Sequence, residues 1–414
     1  MSNMMRGMTQ AFGTALPLAY AYLRDRLLAT LLNILLLALG IATVIALLLT
    51  LSQAEDRMER DAAGIDLVVG AKGSPLQLIL SSVFHVDSPT GNIAMHEADK
   101  IAAMRAVKRA VPLALGDSFR GFRIVGTTPA YLDLYGASIV HGRAWEKPMQ
   151  AVIGTEVAAR TGLSIGTRFA GTHGLAEGGG AHADAPFEVV GILKPTGAVI
   201  DRLILTGLES VWRVHAHEEA KSPSNAHGKT DEDEKEITAL LIQYSGPLAA
   251  ATFPRHVNSV SGLQAASPAM ETTRLFALLG FGVTALKMFA AIMMISAGLG
   301  IFIGLMNALD ERRADLALLR VLGAHRGIVF LTILLQGVAL GVAGVILGIL
   351  LGHAGAEWIG RSIGDAHRVN LTGLTWLAAE WWVIIAALAL AVLAGLFPAW
   401  RAYRDAVPEL LNRA

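Results

Sequence analysis

The residues of this sequence whose types and spacing suit chemistry are few. The absence of cysteine narrows them further, removing thiolate nucleophiles, disulfides and cysteine-ligated metals. Gly162-Leu163-Ser164-Ile165-Gly166 fits the G-x-S-x-G pattern of a nucleophilic serine. That pattern needs a strand entering the turn and a helix leaving it, so that the hydroxyl stands on a strained elbow. Here 156–160 reads as helix before the turn and 167–170 as strand after it, so a plain tight turn is expected. Five histidines, His173, His182, His215, His217 and His227, fall in two polar segments beside Asp184, Glu218, Glu219, Asp231 and Asp233. Neutral imidazole with carboxylate oxygens suits zinc and similar ions. The spacing matches no closed structural site, which leaves two readings: solvated low-complexity loops, or weak, pH-dependent capture of a divalent metal. Asp231-Glu232-Asp233-Glu234 reads as a solvated loop face, and His353 and His367 as lone interfacial side chains. No G-x-x-x-x-G-K-[ST] occurs, Gly70-Ala71-Lys72-Gly73 is too short to cradle phosphates, and His96-Glu97 lacks the second histidine of H-E-x-x-H. The chain is therefore expected to carry no catalytic residues and no ATPase of its own.

The elements that must hold these residues are largely membrane helices. Apolar residues make up 53% of the chain and charged ones only 16%, which argues against a wholly soluble fold. Four runs reach the roughly 20 apolar residues that a bilayer crossing takes. They are 27–51, 275–309 interrupted only by Lys287, 327–352, and 381–400 with Trp381, Trp382 and Trp400 at its ends. Tryptophan favours both membrane interfaces, so these three read as anchors. Arginines gather in the amino-terminal segment (Arg6, Arg24, Arg26), in 310–326 (Arg312, Arg313, Arg320, Arg326) and in the tail (Arg401, Arg404, Arg413). Both termini and the 310–326 loop are therefore expected in the cytoplasm, and the large 52–274 segment outside. The first span is too long for a removable signal peptide and lacks a small-residue cleavage site, so it should be retained. A formal net charge of zero provides no field for nucleic acid.

The expected layout is then a cytoplasmic start at 1–26, whose 15–26 part is either an interfacial helix or an extension of the first span. The first span at 27–51 and the exported domain at 52–274 follow. The second span and a projecting stalk share 275–309, the charged loop is 310–326 and the third span 327–352. An outer loop at 353–380, the fourth span at 381–400 and a tail at 401–414 complete it. Within the exported domain, 65–69, 122–125, 151–153 and 187–192 read as strands, and 95–107 and 156–161 as helices. Short alternating elements of this kind predict an α+β domain, interrupted by polar loops at 172–186 and 215–236. The 275–309 run exceeds what a bilayer needs, so 288–309 should span and 275–286 project. In the third span Gly337, Gly341, Gly344, Gly348 and Gly352 recur on one face, the small-xxx-small spacing that lets helices approach closely. Between spans two and three, Leu309, Leu316, Leu319 and Leu322 recur at helical spacing among Glu311, Arg312, Arg313, Asp315 and Arg320. An amphipathic helix of this composition beside the membrane suits the docking of a soluble partner.

The run from Glu311-Arg312-Arg313-Ala314-Asp315-Leu316 to Arg320-Val321-Leu322-Gly323-Ala324, with the layout as a whole, resembles the permease subunits of MacB/FtsX-type ABC transporters, including LolC/LolE relatives. Phe397-Pro398-Ala399-Trp400-Arg401-Ala402 and Val407-Pro408-Glu409-Leu410-Leu411 resemble the family's ending, and Val125-Gly126-Thr127-Thr128-Pro129-Ala130-Tyr131 with Gly142-Arg143 its periplasmic core. Gln336 stands where many members carry glutamate, and the histidine-rich insertions are unlike the better-known members. The resemblance implies a coupling helix at Glu311, Arg312, Arg313, Asp315, Leu316, Arg320, Gly323 and Ala324. It also implies a separate cytoplasmic ATPase holding ATP and Mg, a second permease copy, and placement in a bacterial inner membrane. ATP-driven closure of the two copies would move the exported domains and handle cargo outside the membrane. The alternatives are an FtsX-like transducer that activates an outside partner, and a zinc-handling system using the histidine loops.

Overall fold

The structure, a computed structural model, describes residues 2–173, 185–221, 235–260, 262–311, 318, 321, 325–367 and 371–404. It divides into two units, one of Met1–Ala54 with Leu279–Ala414 and one of Glu55–Leu278. The helices in chain order are α1 (Ser2–Asp25), α2 (Leu27–Asp61), α3 (Pro75–Ser82), α4 (Met95–Ala102), α5 (Ala130–Leu134) and α6 (Thr155–Thr161). After them come α7 (Leu208–Lys221), α8 (Pro247–Val260), α9 (Pro268–Glu311), α10 (Arg326–His367) and α11 (Ala378–Arg404). Among the described residues, α2, α9, α10 and α11 are long and apolar enough to cross a membrane. In hydrocarbon a helix satisfies its own backbone hydrogen bonds, and the Leu/Ala/Ile-rich runs favour that conformation.

Close helix approach in the first unit runs through glycine. A Cβ placed on Gly348 would stand 2.7 Å from Ile41 Cβ, and one on Gly352 2.8 Å from Ile45 Cβ. Gly344 meets Leu37 in the same way, so 344, 348 and 352 of α10 receive α2. Gly337 and Gly341 turn instead to Ala391 of α11. Leu37, Ile41, Ile45 and Leu49 are consequently buried. The amino-terminal segment is a helix of its own rather than an extension of the first span: α1 lies along α10 with Ala15 and Ala19 buried.

The second unit is the α+β domain. Its strands are β1 (Leu67–Ala71), β2 (Ile93–Ala94), β3 (Val107–Phe119), β4 (Phe122–Thr127), β5 (Ile139–Gly142), β6 (Gln150–Ile153) and β7 (Arg168–Phe169). The others are β8 (Thr172–His173), β9 (Phe187–Leu193), β10 (Ile204–Gly207), β11 (Glu236–Ile237), β12 (Ala239–Tyr244) and β13 (Leu263–Ala266). Eleven of them form one sheet with the path β13-β1-β12-β3-β4-β10-β6-β9-β5, with β7 added on β9 and β8 on β3. Pairing is parallel at β4/β10 and β6/β9 and antiparallel elsewhere in the sheet. The 13-residue β3 belongs to both halves, pairing with β12 at its start and β4 at its end. Arg120 and Gly121 both adopt positive φ (47° and 72°) between Phe119 and Phe122, the two-residue turn whose twist matches that of the strands it joins.

Several expected boundaries move. The helix predicted over 95–107 ends at Ala102, because Val107 begins β3 and pairs with Tyr244. The described residues of 215–236 are not all loop, since α7 runs to Lys221 and β11 occupies Glu236–Ile237. The 353–380 loop shrinks because α10 continues to His367, with a Glu357–Arg361 pair of 2.9 Å one turn apart, and α11 begins at Ala378. The first and second spans extend as unbroken helices to Asp61 and back to Pro268, where proline at the first position costs no hydrogen bond.

Candidate functional site

Of the residues expected to receive a soluble partner, Glu311 closes α9 and forms an ion pair with Arg26. Asp310 beside it pairs with Arg401 at 3.7 Å, so the charged loop leaves the bundle from an end clamped by arginines of two other segments. Arg312, Arg313, Asp315, Leu316, Arg320, Gly323 and Ala324 lie outside the described residues. Leu318 and Val321, between them, are helical and exposed. The loop ends where His325 Nδ1 accepts from Gly327 N at 3.1 Å and α10 begins. Gln336 is buried in α10 and lines a cavity of about 20 Å³ with Tyr22, Leu305 and Thr332.

The other end of the same bundle holds a polar cluster that the sequence pattern did not disclose. Gln53 of α2 accepts from Thr372 N at 2.9 Å and donates to Thr372 O at 2.8 Å and Thr375 Oγ1 at 3.2 Å. Glu357 of α10 accepts from Gly373 N at 2.9 Å, Thr372 Oγ1 at 3.2 Å and Arg361 Nε at 2.9 Å. One turn earlier, His353 Nδ1 lies 2.5 Å from Gly373 O and Nε2 lies 3.0 Å from Glu380 Oε2. Glu380, wholly buried at the start of α11, accepts from Leu377 N through Oε1 at 2.9 Å. His353 is thus not a lone side chain. The signal in the sequence was Glu380 itself, a carboxylate set directly before the Trp381-Trp382 pair.

Inside the domain, the carboxyl end of α2 is tied to three other elements. Arg57 reaches Glu156 of α6 at 3.9 Å, and Asp61 meets Arg202 at 3.3 Å with both side chains at most 10% exposed. Tyr135, just past α5, donates to Asp61 O at 2.8 Å. His85 is buried nearby, with Nε2 3.2 Å from the Tyr131 hydroxyl. Burial holds the His85 pKa well below its usual value, aided by the positive charges of Arg123 and Arg202. Burial likewise raises Tyr131 and Tyr135, whose rings meet edge to face at 5.2 Å. Between the end of α2 and the start of α9 an open groove of about 590 Å³ is lined by Met58, Ala62, Ile65 and Phe276 with Glu55 and Glu59.

The G-x-S-x-G segment follows helix α6 and precedes strand β7, as expected of a turn. Gly162 caps α6 in the left-handed region (φ 73°), and Ser164 Oγ bonds Thr167 Oγ1 at 3.1 Å instead of facing a base. Three histidines of the expected metal set fall in described elements. His173 is in β8, and His215 and His217 are in α7. His182 and His227 lie outside the described residues.

Comparison with known proteins supplies the context. A family model described as MacB-like periplasmic core domain matches residues 30–241, and one described as FtsX-like permease C-terminal matches 287–407. The lipoprotein-releasing system transmembrane protein LolE of Haemophilus influenzae is 32% identical over 123 residues, covering 26% of this chain and 29% of that protein. The match therefore spans less than a third of that relative's length. Among solved structures, the periplasmic region of MacB from Actinobacillus actinomycetemcomitans aligns with 52% of this chain and 95% of its own, at 11% identity and a TM-score of 0.33. The extracellular domain of the noncanonic ABC-type transporter YknZ from Gram-positive bacteria aligns with 49% and 98%, at 13% identity and a TM-score of 0.28.

Proposed function

Since the chain belongs to the MacB/FtsX-type ABC transporter permeases, carrying both their periplasmic core and their FtsX-like permease regions, we propose that it transmits ATP-driven motion to that core domain. ATP hydrolysis resides on a separate cytoplasmic ATPase in this reading, and the permease acts as a dimer in a bacterial inner membrane. The observation that carries it is the charged 310–326 segment set between two long apolar helices, one of which, α9, is a single helix from Pro268 to Glu311. At about 1.5 Å per residue such a helix exceeds the roughly 30 Å of a bilayer core about twofold. A rod of that kind is suited to carry a push from a docked partner beyond the membrane. The arginine surplus in 1–26, 310–326 and 401–414 supports a cytoplasmic position for that loop and both termini.

Arg312, Arg313, Asp315 and Arg320 supply the polar docking contacts in this reading, with Leu316 holding the helix against the partner or membrane and Gly323 and Ala324 in the same coupling segment. Reversing two charges at once, Arg312→Glu with Arg313→Glu, is expected to abolish co-purification of the ATPase and its coupled turnover. Unchanged co-purification and turnover would remove the coupling-helix assignment. A lipidated protein is the first cargo to try, on the strength of the printed name of the Haemophilus relative. An outside enzyme that binds the core domain, with no cargo, would instead mark a signal transducer. The histidine segments are proposed as a weak zinc-capturing set. Loss of zinc binding by the full chain in His215→Ala, His217→Ala, His227→Ala would support that role, and unchanged binding would end it.

A further inference from the structure

The His353–Glu380 contact contains a proton whose presence follows from the hydrogen-bond geometry. A backbone carbonyl only accepts, so the 2.5 Å contact to Gly373 O requires the hydrogen of the imidazole to sit on Nδ1. Nε2 then faces Glu380 Oε2 at 3.0 Å, and this is a hydrogen bond only if a further proton lies between them. Imidazolium with carboxylate, and neutral imidazole with carboxylic acid, hold the same number of protons and both satisfy the contact. Remove one proton and a contact fails whichever tautomer is left. The Nδ1–H form sets the Nε2 lone pair against the carboxylate, and the Nε2–H form sets the Nδ1 lone pair against the carbonyl. Opposed lone pairs beside a wholly buried carboxylate are costly, since Glu380 cannot turn to water.

We propose that His353 and Glu380 form a proton-binding site whose proton locks the 371–377 segment to α10 and α11. The segment depends on this pair at two points, Gly373 O on the ring and Leu377 N on Glu380 Oε1. Trp376 of the same segment stacks on the imidazole, with centroids 5.6 Å apart and planes 15° from parallel. Among the described residues, Gln53 of α2 bonds the segment without a charge, and α11 meets it through the Glu380 carboxylate and the Trp381 ring, 5.6 Å from that of Trp376. On α10 the next charged group is Glu357, and its partner Arg361 offsets its charge. The proton on the pair is thus a variable charge at the point where the segment meets α10 and α11, and its loss releases the segment.

The amides that report the lock are those of Gly373 and Leu377, both hydrogen-bonded in the closed arrangement. Hydrogen exchange of the full chain in detergent, followed by mass spectrometry over a series of pH values and corrected for intrinsic rates, reads them directly. Protection across 371–377 is expected to fall about tenfold or more as the pH rises, the factor that loss of one charge-assisted hydrogen bond implies. Glu380→Gln offers an amide N–H to Nε2 and a carbonyl to Leu377 N, so it should keep the segment closed with no such fall. His353→Phe, which can do neither, should lower protection at every pH. A wild-type protection factor that does not change with pH, or a Glu380→Gln chain that falls in step with the wild type, would overturn the proposal.

Discussion

His85 must lose its proton to take its place in the domain. The ring is buried against the Tyr131 hydroxyl, and burial with the nearby Arg123 and Arg202 keeps its pKa well below the unfolded value of about 6.5. The unfolded chain therefore binds more protons than the folded one below that pH, and stability falls as the solution is acidified. Between about pH 7.5 and about pH 5.5 the loss from this one group should approach 1.4 kcal/mol, or about 1 kcal/mol after allowance for a partly protected unfolded state. His85→Asn, which tolerates the positive φ of 55° at this position, should remove that share of the pH dependence. Exchange protection of β1 and β12 at the two pH values measures it. The Asp61–Arg202 pair is argued at the same scale. Arg202→Met strands a buried carboxylate and should cost about 3 kcal/mol, whereas Asp61→Asn with Arg202→Met should recover most of it. Equal losses in the single and double variants would overturn that expectation.

Among the elements, α10 shows what periodicity can and cannot disclose. The glycine spacing was visible, but its division was not: Gly337 and Gly341 approach α11, while Gly344, Gly348 and Gly352 approach α2. A helix about 100° per residue in pitch rotates such a stripe between two neighbours, and only the packed bundle fixes where the change falls. Gly348→Leu should drive atoms into Ile41 and lower thermal stability in detergent by about 1–3 kcal/mol. Gly355→Leu, which meets open space on the same helix, is the control and should be near neutral. The strands at 122–127, 150–153 and 187–193 and the turn after α6 were legible because each is written in a few adjacent residues. The His353–Glu380 contact was not, since its partners lie 27 residues apart and meet only after α10 and α11 pair. Order in α7 was masked by a polar composition that helices and loops share.

For the whole molecule, the α+β domain between the first and second apolar helices and the family were readable from the succession of apolar runs, one domain-sized insertion and a charged loop. The strand order was not. β1, near the beginning of the domain, lies between β12 and β13, near its end, so the sheet cannot close until the intervening chain is in place. This arrangement sets how the domain bears load. β1 follows directly on α2, β13 directly precedes α9, and the two strands pair antiparallel with Val68 opposite Ala266. Both tethers therefore leave from the same end of one strand pair. Cross-strand hydrogen bonds run perpendicular to the strands, so a force drawing those tethers apart would meet them one after another, as a zipper is opened. Tethers moving in parallel would load none of them. Pulled in opposite directions at its two attachments, the domain should yield first at its β1–β13 seam.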